Sequence, residues 1–184
     1  MENVETQKKT WVLDASHSTV EFSVRHLMIA TVKGVFDRVE GEVEGDVNDI
    51  ENAHAVIRVD VNSVSTRDKQ RDAHLRSDDF FNAEKYPYIT FETTSIKKVS
   101  GSEYKIRGKL TIRDVTKEIE VDGTFEGIQK DPWGNQRFGF SVEGKINRYD
   151  FGLRWNMPLE GGGVLVGDVV KFNVSIEAME KKNN

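Results

Sequence analysis

The segment Thr19-Val20-Glu21-Phe22-Ser23-Val24-Arg25-His26 decides the fold. In an extended chain Val20, Phe22, Val24 and His26 share one face, and Thr19, Glu21, Ser23 and Arg25 share the other. A period of two is the mark of a half-buried antiparallel strand. The same rhythm returns along the chain. Val39 and Val43 alternate with Glu40, Glu42 and Glu44; Ile57 and Val59 with Arg58 and Asp60; Ile89 and Phe91 with Thr90 and Glu92. Ile106 and Leu110 face away from Lys105, Arg107 and Lys109, and Val121 and Phe125 from Glu120, Asp122 and Glu126. Phe140, Val142 and Ile146 oppose Ser141, Glu143 and Lys145; Phe172, Val174 and Ile176 oppose Lys171, Asn173 and Ser175. About eight such strands are predicted, most of them longer than the usual five or six residues. Every strand has one wet and one dry face, and no long amphipathic helix is available to cover a sheet, so the sheet must cover itself. Long strands with mostly short connections favour an all-β, eight-stranded antiparallel up-and-down barrel over a sandwich. The alternation changes phase between Phe36 and Val39, which predicts a bulge near Asp37-Arg38.

One stretch departs from this rhythm. Residues 66–87 are charged and helix-tolerant at Arg67-Asp68-Lys69-Gln70-Arg71-Asp72-Ala73-His74-Leu75-Arg76, then aromatic at Phe80, Phe81 and Tyr86. They predict a short helix between strands with Thr66 as its N-cap, and a loop whose aromatics fold back on one end of the barrel. Met157-Pro158-Leu159-Glu160-Gly161-Gly162-Gly163 is a second long connection. Residues 10–178 are expected to form a single domain, with 1–9 and 179–184 as flexible termini.

Composition removes several function classes. The 184 residues carry 26 Lys+Arg against 31 Asp+Glu, a net charge of −5. This balance opposes nucleic-acid binding, which needs a basic face. There are no cysteines, so disulfides, thiolate nucleophiles and Cys-ligated metals are out. Apolar runs such as Leu27-Met28-Ile29-Ala30 fall far short of the roughly 20 residues of a membrane-spanning helix. The opening Met1-Glu2-Asn3-Val4-Glu5 has no apolar core of a secretory signal, so a cytoplasmic location is expected.

The dry face carries an unusual number of glycines. Gly41, Gly45, Gly108, Gly123, Gly127 and Gly144 all stand at inward parity, where a filled core would carry Val, Ile or Leu. Two readings stand side by side. The glycines leave an elongated apolar channel inside the barrel, or they let coiled strands bend at the barrel corners. In the first reading the inward residues Phe22, Val24, Phe36, Ile57, Val59, Phe91, Leu110, Phe125, Phe140, Ile146, Phe172 and Val174 line the bore. His26 at a strand end, with Phe80, Phe81 and Trp155 from the long connections, completes the expected ligand-binding set.

Polar chemistry is sparse. Asp14, His17, His26, Asp72 and His74 match no known metal-ligand spacing, so no metal and no cofactor are expected. Asp14 to Ser18 is expected to form a turn and polar cap entering the first strand. Ser16-His17 with Asp14 makes a poor triad, since neighbours in an extended segment point apart, and no catalytic residue is assigned. His26 either touches a ligand or bonds a backbone carbonyl. Arg67, Arg71 and Arg76 either attract an anionic headgroup or pair with Asp68, Asp72 and Asp79.

Several ordered blocks resemble the YceI-like polyisoprenoid-binding family. They are Asp14 to His26, Val32-Lys33-Gly34-Val35-Phe36, Arg71-Asp72-Ala73-His74-Leu75, Asp79-Phe80-Phe81 and Tyr86-Pro87-Tyr88-Ile89-Thr90-Phe91, then Gly108-Lys109-Leu110-Thr111-Ile112-Arg113, Arg137-Phe138-Gly139-Phe140 and Val166-Gly167-Asp168-Val169-Val170. The resemblance implies an extended lipocalin-like barrel whose tunnel holds a polyisoprenoid or other long apolar lipid, and a homodimer. The expected function is therefore non-enzymatic binding, storage or transport of such a lipid. The alternative is an enzyme acting on a small apolar or lipid substrate with His26 or His17 as acid/base. A third reading is a stress-related structural or interaction protein with a filled barrel.

Overall fold

The computed structural model describes residues 8–182. Its strands are β1 (Lys9–Leu13), β2 (Thr19–His26), β3 (Ala30–Phe36), β4 (Val39–Gly45), β5 (His54–Asp60), β6 (Val64–Ser65), β7 (Tyr88–Ser100), β8 (Glu103–Ile112), β9 (Val115–Lys130), β10 (Gln136–Asn147) and β11 (Val166–Glu180), with one α-helix, α1 (Lys69–Arg76). All pairings are antiparallel, and β1 closes the sheet by pairing with both β4 and β11. The segments make eight staves of an up-and-down barrel, because β1–β2 and β3–β4 are each one strand with a bend, and β6 is a two-residue fragment pairing β3.

Both bends have local causes. Between β1 and β2 the chain makes a 3₁₀ turn at Ala15–His17, capped by the Asp14 carboxylate, which accepts the Ser16 N–H at 3.0 Å. Between β3 and β4 there is a break at Asp37-Arg38, where a bulge is expected from the sequence. The amides of Asp37 and Arg38 turn to the carbonyl and hydroxyl of Ser63, at 3.4 and 3.0 Å. A bulge does occur in β9, where Gly139 pairs with Gly127 but Phe140 pairs with Phe125. Gly127 has φ +125, and a Cβ there would meet nothing within 4 Å. It therefore does not continue the inward row of Val121 and Phe125.

The helix starts later than Thr66. Asp68 caps it by accepting the Arg71 N–H at 3.0 Å. Thr66 is instead buried, donating its N–H and hydroxyl to Asp72 Oδ1 at 2.8 and 2.5 Å. At the far end of the chain, Met179 and Glu180 continue β11 and pair with Val12 and Trp11, and Lys9 belongs to β1. These three fall in the stretches expected to be flexible; residues 1–7 and 183–184 lie outside the described residues.

The two ends of the barrel differ. Residues 46–53, 101–102 and 131–135 make compact connections at one end. The other end carries the 27–29 turn, the 61–87 excursion with α1, and the 148–165 excursion. Among the described residues no helix is long and apolar enough to cross a membrane.

Candidate functional site

Alternation sends one row of each stave inward, and those rows do not meet. Three separate groups of buried residues form around Trp11, Phe36 and Val39, around Ile96 and Ile106, and around Leu110 and Phe151. Between them Phe22, Val24, Phe91, Phe125, Phe140, Phe172 and Val174 stay only half-buried, because one side of each faces the empty space that the groups leave. The space is a cavity of about 420 Å³ that runs from Val47 and Ile50 at the compact end to His26, Trp155 and Leu165 at the other.

The glycines act differently from a simple lack of side chain. A Cβ on Gly144 would lie 2.5 Å from Cζ of Phe172, its partner across the β10–β11 ladder. Gly34 is covered by Phe22 in the same way, at 2.3 Å. Phe91 covers Gly108 at 2.4 Å and Phe140 covers Gly123 at 2.6 Å, each from a diagonal position. The space before these glycines is thus occupied by rings. A ring that lies back on a glycine follows the wall instead of projecting to the axis, and so the bore stays open. Gly41 and Gly45 serve closeness of another kind, since a Cβ there would strike Val56 O at 2.4 Å and Ala53 Cβ at 2.7 Å.

The structure places the whole expected ligand-binding set on the cavity wall: Phe22, Val24, His26, Phe36, Ile57, Val59, Phe80, Phe81, Phe91, Leu110, Phe125, Phe140, Ile146, Trp155, Phe172 and Val174. Phe80 and Trp155 pack with His74 at the long-loop end, with ring centroids 4.6–5.5 Å apart. Sequence reasoning missed Trp11, which lines the compact end, packs edge-on against Phe138 at 5.0 Å and donates Nε1–H to Gly45 O at 3.3 Å. Its signal was present in the alternation of Trp11 and Leu13. It also missed Arg148, which has no such signal.

Arg148 is 3% exposed and reaches the cavity wall. It donates to the carbonyls of Gly167, Leu153, Trp155 and Val166 at 2.7–3.2 Å and makes no ion pair among the described residues. Burial pushes its guanidinium below its ordinary pKa, against the pull of Tyr149 and Asp168. Its role is to gather the 153–167 backbone onto the barrel.

The histidines are scattered. His26 lines the long-loop end and its imidazole has no hydrogen-bond partner among the described residues, so of the two alternatives the bond to a backbone carbonyl is not made. His74 binds Asp79 at 2.8 Å. His17 stands at the compact end on the outside, its side chain 61% exposed, and does not line the bore. Ala15–His17 is a 3₁₀ turn capped by Asp14, the turn and polar cap expected from the sequence, and in it Ser16 and His17 converge on Asp14 instead of pointing apart as neighbours in an extended segment would. Ser16 Oγ lies 3.1 Å from His17 Nδ1 and 2.6 Å from Asp14 Oδ1. This is still not a triad. Asp14 Oδ2 approaches the same Nδ1 at 2.9 Å, whereas relay chemistry needs serine and carboxylate on opposite ring nitrogens.

Asp14, His17 and Glu177 bring three ligand atoms within 4.8 Å of one another. The guanidinium of Arg137 already supplies the positive charge there, reaching Asp14 at 2.8 Å, Glu177 at 3.3 Å and Asp131 at 2.8 Å. The Ser16 hydroxyl, then His17 and Arg137, hold the Asp14 carboxyl well below its ordinary range. Desolvation works to raise Asp131, but its bonds from Arg137, Asn135 and the Trp133 amide bring it down to about 2. The cluster is an ionic clasp joining the β1–β2 bend to β10 and β11. Arg71 reaches Thr66 rather than Asp72, through Nε to Oγ1 at 2.8 Å and Nη2 to the carbonyl at 2.7 Å.

An up-and-down barrel with a continuous apolar bore is lipocalin-like in architecture. The sequence matches the YceI-like domain over residues 11–178, and the chain belongs to that family. A UPF0312 protein of Staphylococcus aureus is 42% identical over 168 residues, covering 91% of this chain and 95% of that protein. The Campylobacter jejuni YCEI protein, solved as a crystal form with large solvent channels, superposes with TM-score 0.70 at 33% identity, over 86% of this chain and 90% of that one. Burkholderia cenocepacia BcnA shares the fold with TM-score 0.76 at 22% identity, over 90% of this chain and 98% of that one. A polyisoprenoid binding domain from Saccharophagus degradans shares it with TM-score 0.71 at 15% identity, over 95% and 100%.

Proposed function

We propose that this protein binds a long-chain isoprenoid or similar lipid in its bore, without chemical change, for storage or transport. The carrying observation is the end-to-end apolar cavity of about 420 Å³, a size within the roughly 300–1,000 Å³ usual for ligand pockets. Burial of apolar surface contributes about 25 cal/mol per Å², so a hydrocarbon chain needs no polar contact in the bore to be held. The Saccharophagus degradans domain of the same fold is described as polyisoprenoid-binding, which supports the choice of guest. The sixteen expected lining residues are the proposed contacts.

The enzyme alternative has less to stand on. His17 lies outside the bore, and among the described residues no carboxylate or hydroxyl hydrogen-bonds the His26 imidazole. The test is to extract the natively purified protein with organic solvent, identify what is released by mass spectrometry, and add geranylgeraniol to the emptied protein. A prenyl or acyl compound in the extract, or stoichiometric uptake returned unaltered after long incubation, supports the proposal. An empty extract with no uptake overturns it, and altered geranylgeraniol supports the enzyme instead.

A further inference from the structure

We propose that the long-loop end of the barrel is a bilayer-docking tip, at which the turn 27–29 and the hairpin 157–165 enter the interface of a lipid membrane. The inference rests on the lipid-binding reading of the bore and names the surface from which its guest is drawn.

The exposed apolar side chains here are concentrated and project from the end of the barrel. Ile29 is 81% exposed, Met28 54%, Met157 52% and Leu27 40%. The two loops form one platform. The Leu27 N–H donates to the Leu165 carbonyl at 2.9 Å, Val166 pairs with His26, and Gly163 sits against Met28, with its would-be Cβ 3.3 Å from Met28 Cγ. His26, Leu165, Val166 and Trp155, immediately beside the platform, line the bore. The tip therefore continues the apolar wall of the cavity outward.

Three features favour a bilayer over a protein partner. First, the tip satisfies much of its own backbone. Ile29 N–H bonds His26 O, Leu165 N–H bonds Met157 O, Leu159 N–H bonds Gly163 O and Gly162 N–H bonds Leu159 O, at 2.9–3.2 Å. Such a loop enters an apolar phase with fewer unpaired amides, the condition that lipid imposes most strictly. Second, two narrow turns offer little of the roughly 800 Å² per partner that a stable dimer buries, so a homodimer of this chain would use another surface. Third, the exposed Arg25 and Arg154 flank the platform, where their long stems let the charged ends reach lipid phosphates while the aliphatic parts stay low. Glu160 lies in the same hairpin, so insertion is shallow and driven by apolar contact.

A guest that enters water only with difficulty gains from this arrangement. With the mouth against the bilayer, an isoprenoid chain passes from one apolar phase to another without crossing solvent.

The test is flotation of the full chain with phosphatidylcholine vesicles, beside M28D/I29D and the control Trp133→Ala, which removes the 78%-exposed indole at the opposite end. The wild-type protein and the Trp133 variant are expected to float, and the double variant to partition at least about tenfold less. Flotation of the double variant equal to wild type overturns the proposal, as does a wild-type protein that stays in solution. So does a wild-type dimer that the double substitution dissolves, since a second copy then covers the tip. Uptake of geranylgeraniol from solution, measured on the same three proteins, separates the two claims. Vesicle binding with no uptake sinks the bore reading and leaves the docking tip standing, while uptake without vesicle binding does the reverse.

Discussion

The ring of Phe172 lies on the bare backbone of Gly144, directly across the β10–β11 ladder. Val121 closes the other side, 2.8 Å from where a Cβ would stand. Any side chain at 144 must therefore move the ring off the wall and toward the axis. Gly144→Ala is expected to cost about 1–3 kcal/mol by overpacking. Adding Phe172→Ala should recover part of that cost, because the closest clash is with this ring. Urea denaturation of the two single variants and the double variant gives the coupling. Additive effects would show that the ring and the glycine are independent.

Filling the bore should abolish binding more cleanly than altering its wall. Val174 is half-buried, lines the cavity, and pairs with Val142 on one side and Val20 on the other. Val174→Trp puts an indole into open space, so the far-ultraviolet circular dichroism should be unchanged. Geranylgeraniol uptake should fall at least about tenfold. Undiminished uptake would place the guest elsewhere.

Arg148 holds four backbone carbonyls with no carboxylate partner among the described residues. Arg148→Leu keeps the apolar stem and strips every donor, leaving those acceptors short of partners. A loss of about 3 kcal/mol or more is expected, at the upper end for single changes. Hydrogen exchange should quicken first in residues 153–167. Protection there equal to wild type would refute the clasp.

The Asp14–His17–Arg137 cluster predicts a stability window in pH. The Asp14 carboxyl is held below its ordinary value of 3.8, chiefly by the Ser16 hydroxyl and then by His17, so its contribution is present above about pH 4 and lost as pH falls toward the folded-state value. The hydrogen bond to Asp14, then the charge of Glu177, raise His17 above 6.5. Its contribution is present below pH 6.5 and lost as pH rises through the folded-state value. Relative to wild type, His17→Ala should lower Tm most at pH 5 and least at pH 9. Asp14→Asn should lower it at both, and its effect should shrink below about pH 3. Calorimetry across this range decides it, and a Tm difference that does not change with pH would disprove the linkage.

The staves of the barrel are legible in the sequence because a strand writes its two faces at every second residue. Phe22, Val24 and His26 need no partner to be assigned inward, and thirteen of the sixteen proposed contacts follow from the same parity, Phe80, Phe81 and Trp155 coming from the long connections. Reading failed where the backbone leaves the extended state. Ser16 and His17 point apart in a strand but meet in a 3₁₀ turn, and Thr66, an apparent helix cap, is drawn inward by Asp72. Parity also misplaced Gly127, since one extra residue in β9 reverses its direction.

By itself, then, the chain's local pattern determined which side chains turn inward, how many staves there are, and that they close. Only the tertiary structure decided whether the interior is full. That depends on ring positions set by neighbours across the ladder, such as Phe172 on Gly144, and on eight staves at a fixed spacing enclosing more volume than their inward rows supply. Arg148 belongs to the same category. A cation is placed at the surface by its own chemistry and goes inside only when folding gathers enough carbonyls around it.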